Sequence, residues 1–447
     1  RDDFSVLYLN ELRLWQLKTV CLIARECYRM ESELPQPLEV AHLILAQSDP
    51  IGLRYSQEEK KFNVDGAYNS NYEIIKKRID KAQFLMRRHN VDAIYLNAGT
   101  NLTYFTGLRW YPSERLVGAI LPATGKIQYI APDFEVGSLN GYMMLEGPMH
   151  TWLEHECPYS ITAQVLNKLG YDNNATIGID ESTAFFIADG FKQAAPHINF
   201  VNAKAITAGC RMQKSDAEIG LIQRAMDMTL EVHKAAASIL REGISTAEVV
   251  EFIEQAHRKV GASGSYFCIV LFGEATSYPH GVKHEQYLKP GDMVLIDTGC
   301  KAHGYLSDIT RTYVFGESTE KQRQAWQHEK NAQLAAFEQA QLGVPCEKVD
   351  QAARSYLVNQ GYGPEYQLPG LPHRTGHGIG LDIHEWPYLV GGDKTPLDIG
   401  MCFSNEPMLV LPKEFGIRLE DHFYMTNQGP KWFTQPSESI DNPFNLT

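Results

Sequence analysis

The sequence predicts a mixed α+β protein of two folded domains, a smaller α/β domain followed by a larger one of paired helices and strands. Three observations lead there. Helix-type and strand-type periodicities alternate between residues 70 and 205. Two serine capping boxes reopen the chain as helices soon after residue 210. From Ser265 onward strands dominate, joined by short turns. The 447 residues suffice for two or three domains, and 44% hydrophobic with 21% charged residues excludes a globally disordered chain.

Taken in order, residues 1–65 read as a helical N-terminal extension. Leu7, Leu12, Leu14, Leu17 and Val20 interleave with charges there, a pattern for packing or oligomer contact with no chemistry in it. Residues 66–210 form the α/β domain. Tyr72–Arg88 is charged and helix-periodic, Ala93–Leu96 is a short strand, and strands over Leu116–Leu121 and Ile127–Ala131 flank a turn at Thr124-Gly125. Residues 211–447 form the second domain. Ser215 with Glu218, and Ser245 with Glu248, have capping-box spacing and predict helices running to about Leu240 and Val260. Further helices are expected over Glu320–Gln341 and Cys346–Gln360.

Composition narrows the function classes. Forty-one basic against 54 acidic residues leave a formal charge of −13, without the basic footprint that nucleic-acid backbones require. No stretch reaches the roughly 18 uncharged apolar residues of a membrane span. The eight cysteines include no CxxC pair and read as reduced, mostly buried thiols, which points to a cytoplasmic setting. The first residue is Arg1 rather than Met, so a removed targeting segment is compatible with this reading.

The chemistry concentrates after residue 290. VLIDTGCKAHGYLSDITRTYVF, residues 294–315, reads as a hairpin. With Ala302-His303 as its loop, Asp297 and Asp308 face each other, their Cβ atoms about 4.5–5.5 Å apart. Like charges that close repel unless a cation lies between them, so the pair is either a solvated surface feature or part of a metal site. A second hairpin, MCFSNEPMLVL then GIRLEDHFYMT, sets Glu406 opposite Glu420 around a loop centred on Lys413, and the same two readings apply. Between the hairpins lies His373-Arg-Thr-Gly-His377-Gly-Ile-Gly-Leu-Asp-Ile-His384-Glu385. Three histidines among three glycines do not make a helix; Gly376, Gly378 and Gly380 allow close backbone approach and unusual dihedrals. The run lacks the strand–loop–helix context of a phosphate-binding motif. Four carboxylates with one imidazole nearly balance two divalent cations, and such an oxygen-rich set suits Mn, Co, Fe or Zn.

These pieces together resemble the proline dipeptidases and aminopeptidases P, the pita-bread-fold metallopeptidases. HRTGHGIGLDIHE carries the likeness, and IDTG, SDITRT, NEP and RLED follow in that family's order. NLTYFTGL at 101–108 is similar to the family's smaller, creatinase-like N-terminal domain. The resemblance covers roughly residues 70–435 and implies a pita-bread catalytic domain preceded by that smaller domain. It implies metal ligands at Asp297, Asp308, His377, Glu406 and Glu420. It further implies substrate-side histidines at His280, His373 and His384, and a site-orienting Arg418. Two divalent ions are implied as cofactors, manganese first, with cobalt, zinc or iron as alternatives. Glu385 and Asp382 are expected to orient the site from behind, whereas His303 and His422 are not expected to be ligands.

The activity implied is hydrolysis of the imide bond before proline, with Glu406 shuttling the proton and His280 and His384 on the carbonyl or carboxyl side. Proline lacks an N–H, so substrate recognition falls on the free α-amino group and, in dipeptides, the terminal carboxylate. The HRTGHGIGLDIHE-Trp-Pro run and GMCFSNEP look closer to bacterial Xaa-Pro dipeptidases. Aminopeptidase P, acting on longer peptides with proline second, is the alternative. A catalytically inactive binding module on the same fold is the reading from a different class. A homodimer is also implied.

Overall fold

The computed structural model describes residues 72–444 except 173, so the extension expected over 1–65 lies outside the described residues. The helix Tyr72–Arg88 opens the first domain. Strands β1 (Ala93–Asn97), β2 (Gly118–Pro122), β3 (Gln128–Pro132), β4 (Met149–Trp152), β5 (Thr176–Ile179) and β6 (Asn199–Asn202) follow, in a mixed sheet ordered β4-β3-β2-β1-β5-β6. β2 and β3 begin one or two residues later than the apolar runs suggest. The sheet is covered on both faces, which is why β1 is buried throughout. Ile94 and Leu96 pack with Ala82, Met86 and Ile206, while Ala93 and Tyr95 pack with Val165, Ile187 and Phe191 from other helices.

Both serine capping boxes form as the spacing requires. Ser215 and Glu218 open the helix Asp216–Ser238, and Ser245 and Glu248 open Thr246–Lys259. Glu218 has a second task that its capping role did not reveal. Its Oε1 accepts from Arg78 at 3.0 Å and from the Tyr305 hydroxyl at 2.6 Å, tying the helix Tyr72–Arg88 to the second domain.

The second domain repeats one succession: a capped helix, a second helix, then strands that end in a hairpin. The first round is Asp216–Ser238, Thr246–Lys259, β7 (Ser265–Phe272), β8 (Met293–Ala302), β9 (Tyr305–Leu306) and β10 (Ile309–Val314). The second is Glu320–Gln339, Cys346–Asn359, β11 (Gly376–Gly378), β12 (Glu385–Leu389), β13 (Cys402–Asn405), β14 (Met408–Leu411), β15 (Phe415–Arg418), β16 (Asp421–Thr426) and β17 (Gly429–Trp432). The sheet orders are β10-β8-β7 and β12-β11-β13-β16-β17, with β14 and β15 a separate pair. Alternation along β8 divides the core. Val294 and Ile296 pack with Val232, Val249 and Ile253 of the first helix pair, whereas Met293 and Leu295 share a core with Phe403 and Met408. Asp297 continues the second set and so points toward the other half of the domain.

The first hairpin corrects the expected register. Its loop is His303-Gly304, with φ of 50° and 94°, the two left-handed positions of a two-residue hairpin turn; Ala302 stays in the ladder opposite Tyr305. Asp297 therefore faces Thr310, not Asp308. Asp308 becomes the diagonal neighbour on the same face, where spacings of about 7–8 Å between Cα atoms replace the tighter direct pairing. Gly299 permits this, because a Cβ there would lie 1.9 Å from the Ser307 carbonyl oxygen. The second hairpin has the expected register: Met408 pairs with Arg418 and Asn405 with Asp421.

No helix among the described residues is long and apolar enough to cross a membrane. Behind the β10-β8-β7 sheet, His257 and His233 are buried neutral. Burial pushes His257 down to about 4 and, aided by Arg311, His233 to about 3. An unfolded chain protonates both below about pH 6.5, while the folded protein resists, so stability falls as pH drops below 6.5. By pH 5 the loss should be about 2 kcal/mol from each. Urea midpoints of metal-free protein from pH 7.5 to 5 check this; a His257→Gln variant with an equally steep decline contradicts it.

Candidate metal centre

The expected acidic residues meet where the two halves of the second domain face each other. Asp297 comes from β8 and Asp308 from the break between β9 and β10. Glu406 and Glu420 occupy the matching breaks, β13–β14 and β15–β16, where the hairpin passes from one sheet into the other. Their main chains leave the ladder there: Glu406 N–H donates to Thr375 O at 2.8 Å and Glu420 N–H to Thr310 O at 3.1 Å. His377 lies on β11, its own N–H held by Ser404 Oγ at 2.8 Å. Gly376 and Gly378 let β11 fit: a Cβ at Gly376 would lie 2.1 Å from the Ser404 carbonyl oxygen, and one at Gly378 2.6 Å from that of Glu385. Neither these two nor Gly380 has a positive φ, so close approach, not an unusual dihedral, is what the glycines supply.

His377 Nε2 lies 3.1 Å from Glu406 Oε1 and 3.7 Å from Asp308 Oδ2. Its Nδ1–H donates to the Gly378 carbonyl at 3.0 Å, which turns Nε2 toward the carboxylates. The Nε2 lone pair then faces carboxylates, an arrangement that needs a proton or a cation between them. One oxygen each of Asp297, Asp308 and Glu420 is buried without a hydrogen-bond partner. Burial, then Glu420, Asp297 and Glu406, hold the Asp308 carboxyl well above the usual range; burial, then Glu406 and Asp297, do the same to Glu420. Burial works against ionised Glu406 too, but with a proton in that place the hydrogen bond and charge of His377, followed by His373 and Arg418, keep it below the usual range. Arg418 is the guanidinium at hand: it pairs with Asp297 Oδ2 and donates to Thr310 Oγ1 at 3.1 Å and to Pro279 O at 3.1 Å. Orphaned anionic oxygens around a fixed imidazole lone pair fit divalent cations.

The expected substrate-side histidines surround this core. The His384 ring packs edge-on to His377 at 4.2 Å between centroids. Burial and the nearby His377, Arg374 and His280 push His384 down to about 4. His373 Nδ1 bonds the Arg374 carbonyl at 2.7 Å, and its own carbonyl accepts from Arg354. His280 is exposed, one residue beyond the Pro279 carbonyl that Arg418 holds. Beyond His384 opens a cleft of about 840 Å³ lined by both domains, including Trp110, Lys204, Arg211, His303 and Tyr305.

Glu385 and Asp382, expected to orient the site from behind, take basic and hydroxyl partners. Glu385 pairs with Arg211 at 2.5 Å and Lys214 at 2.9 Å, and Asp382 with Arg211 at 2.7 Å and the Thr100 hydroxyl at 2.7 Å. They fasten the loop bearing His384 to the first domain. Arg211 and Lys214 carried no local signal for this. Thr310 and Ser404 were missed and His422 was set aside as a non-ligand, although each stands in a strand only two residues from a candidate ligand at the adjoining break. Thr310 Oγ1 donates to Glu420 Oε2 at 2.7 Å and Ser404 Oγ to Glu406 Oε1 at 3.0 Å. One donor atom of His422 groups with those of Asp308, His377 and Glu420, all within 4.8 Å of one another.

Comparison with known proteins agrees with this geometry. The description Metallopeptidase family M24 matches residues 220–427, and Creatinase/Prolidase N-terminal domain matches residues 78–213. A Bacillus subtilis protein named "Putative dipeptidase YkvY" is 32% identical over 365 residues, covering 80% of this chain and 97% of that one. The dipeptidase PepE from Mycobacterium ulcerans superposes with a TM-score of 0.77 at 30% identity, over 83% of this chain and 98% of that one. A prolidase from Thermococcus sibiricus gives 0.74 at 30% identity, over 82% and 98%. The two-domain architecture, the order of the acidic pairs and these likenesses converge: the chain belongs to the M24 metallopeptidases, with a creatinase-type N-terminal domain ahead of a pita-bread catalytic domain.

Proposed function

We propose that this peptidase hydrolyses the imide bond of Xaa-Pro dipeptides at a binuclear centre held by Asp297, Asp308, His377, Glu406 and Glu420. The observation that carries the reading is the fixed His377 ring whose Nε2 faces Asp308 and Glu406, beside orphaned buried oxygens on Asp297, Asp308 and Glu420. The names of the relatives, dipeptidase and prolidase, support the substrate class.

When bound, two divalent ions polarise the scissile carbonyl and make water nucleophilic near neutral pH, with manganese the first candidate. The side chains do the rest. Ser404 and His377 both engage Glu406 Oε1, so Oε2 is the atom that takes the proton from the attacking water and returns it to the leaving imide nitrogen. Arg418 holds Asp297 and, through Pro279, the segment that carries His280. His384, neutral at pH 7, donates a ring N–H to the developing oxyanion. His280 and His373 hold the carboxyl side of the substrate.

The cleft favours a second reading. Its roughly 840 Å³ lies toward the upper end of the range of about 300–1,000 Å³ for ligand pockets, more than a dipeptide needs. Aminopeptidase P chemistry on longer chains would use that space. The deciding experiment is metal-stripped protein restored separately with Mn, Co, Zn and Fe and assayed on Leu-Pro, Gly-Pro and matching Xaa-Pro-Yaa tripeptides. Cleavage of dipeptides with little action on tripeptides is expected. The opposite ranking transfers the protein to the aminopeptidase P reading, and no proline-dependent cleavage by any metal form removes both.

A further inference from the structure

We propose that His422 is a nitrogen donor of the same centre, giving one of its two ions a second imidazole. The inference rests on the binuclear reading above and extends its ligand set. His422 is 0% exposed, and neither ring nitrogen has a hydrogen-bond partner. The Asp308 main chain lies against the ring without forming a bond of acceptable geometry. A buried imidazole with both nitrogens idle is costly unless something absent from the protein part meets it.

Its placement says what that is. On β16, His422 pairs in register with Ser404 of β13. Ser404 is the residue that holds both the His377 main chain and the Glu406 carboxylate. Glu420 precedes it by two residues, at the break just before β16. The His377 and His422 rings stand 6.0 Å apart between centroids, with Asp308 and Glu420 in the same group of donors. Two ligands on opposite sides of a first-row ion stand about 4.2 Å apart, so donors within 4.8 Å of one another need only a small closing movement around a cation.

A consequence for metal choice follows. The ion near His377 and His422 would be nitrogen-richer than the one near Asp297. Imidazole donors favour zinc, iron or cobalt over manganese. The two positions should therefore differ in preference, the nitrogen-rich one taking cobalt or zinc first.

The test uses metal-free full-length protein titrated with Co(II), following visible absorption and calorimetry. Wild type, His422→Asn and His422→Phe are compared, with His377→Ala as control. Wild type should bind two equivalents; both His422 variants should weaken one of them by at least about tenfold and shift its d–d band, with the other unchanged. Circular dichroism and thermal midpoints of the metal-free proteins report folding, and either variant that folds suffices. Two wild-type-like equivalents with an unaltered band overturn the proposal. Weakened binding with an unaltered band also overturns it, since a residue merely supporting the ligands behaves that way. Failure of wild type itself to bind two ions removes the binuclear reading and this inference with it.

Discussion

Replacing Glu406 with Gln should lower kcat on Leu-Pro by about a thousandfold, near the middle of the range for removing a general acid–base. Gln keeps an oxygen that accepts from Ser404 Oγ, so the break between β13 and β14 loses little packing. It loses the charge that Oε2 needs to take a proton. Glu406 is also a candidate ligand, so the measurement must be made on protein whose metal content is shown to match wild type. A fully loaded variant within tenfold of wild-type kcat would remove Glu406 as the proton carrier. A variant inactive only because it holds no metal would make Glu406 chiefly a ligand.

Replacing Arg311 with Met should destabilise the protein by about 3–5 kcal/mol, because one partner of a buried ion pair is left behind. Arg311 is 1% exposed and donates to Asp421 Oδ1 at 2.7 Å, to Glu420 O at 2.8 Å and to Thr310 O at 3.1 Å. Asp421 also accepts from Thr434 at 2.8 Å and from Gln333 at 3.1 Å, but neither brings a charge. The Glu420 main chain is clamped by the same guanidinium, so activity should fall along with stability. The double variant Arg311→Met with Asp421→Leu should recover part of the loss, since an apolar replacement of the whole pair strands no charge. Urea unfolding of the three proteins checks this; a single variant losing under about 1 kcal/mol would show that Asp421 is not the anion Arg311 compensates.

The particular expectations that held were those set by local chemistry. Ser215 and Ser245 cap helices because an oxygen three residues before a free N–H needs no distant partner. Glu406 and Glu420 came into register because a hairpin with a short loop has few alternatives. The first hairpin misled over the same logic: two candidate loops one residue apart differ only in which can take positive φ, and Gly304 decides it. That slip moves Asp308 from opposite Asp297 to its diagonal, while keeping both on one face.

By itself, the order of residues determined the two-domain α+β plan, the acidic pairs and the imidazole between them, because periodicity and turn chemistry act within a few residues. Only the folded molecule decided what joins those parts. The Arg78–Glu218 and Arg211–Glu385 contacts that lock one domain to the other span more than 100 residues. So does the clamp of Arg311 on Glu420 and Asp421. The idle nitrogens of His422 likewise became visible only in three dimensions. Charge pairing at such separations has no local signature: it is set by which strands the hydrophobic core brings together, and a buried charge then takes whatever partner that packing supplies.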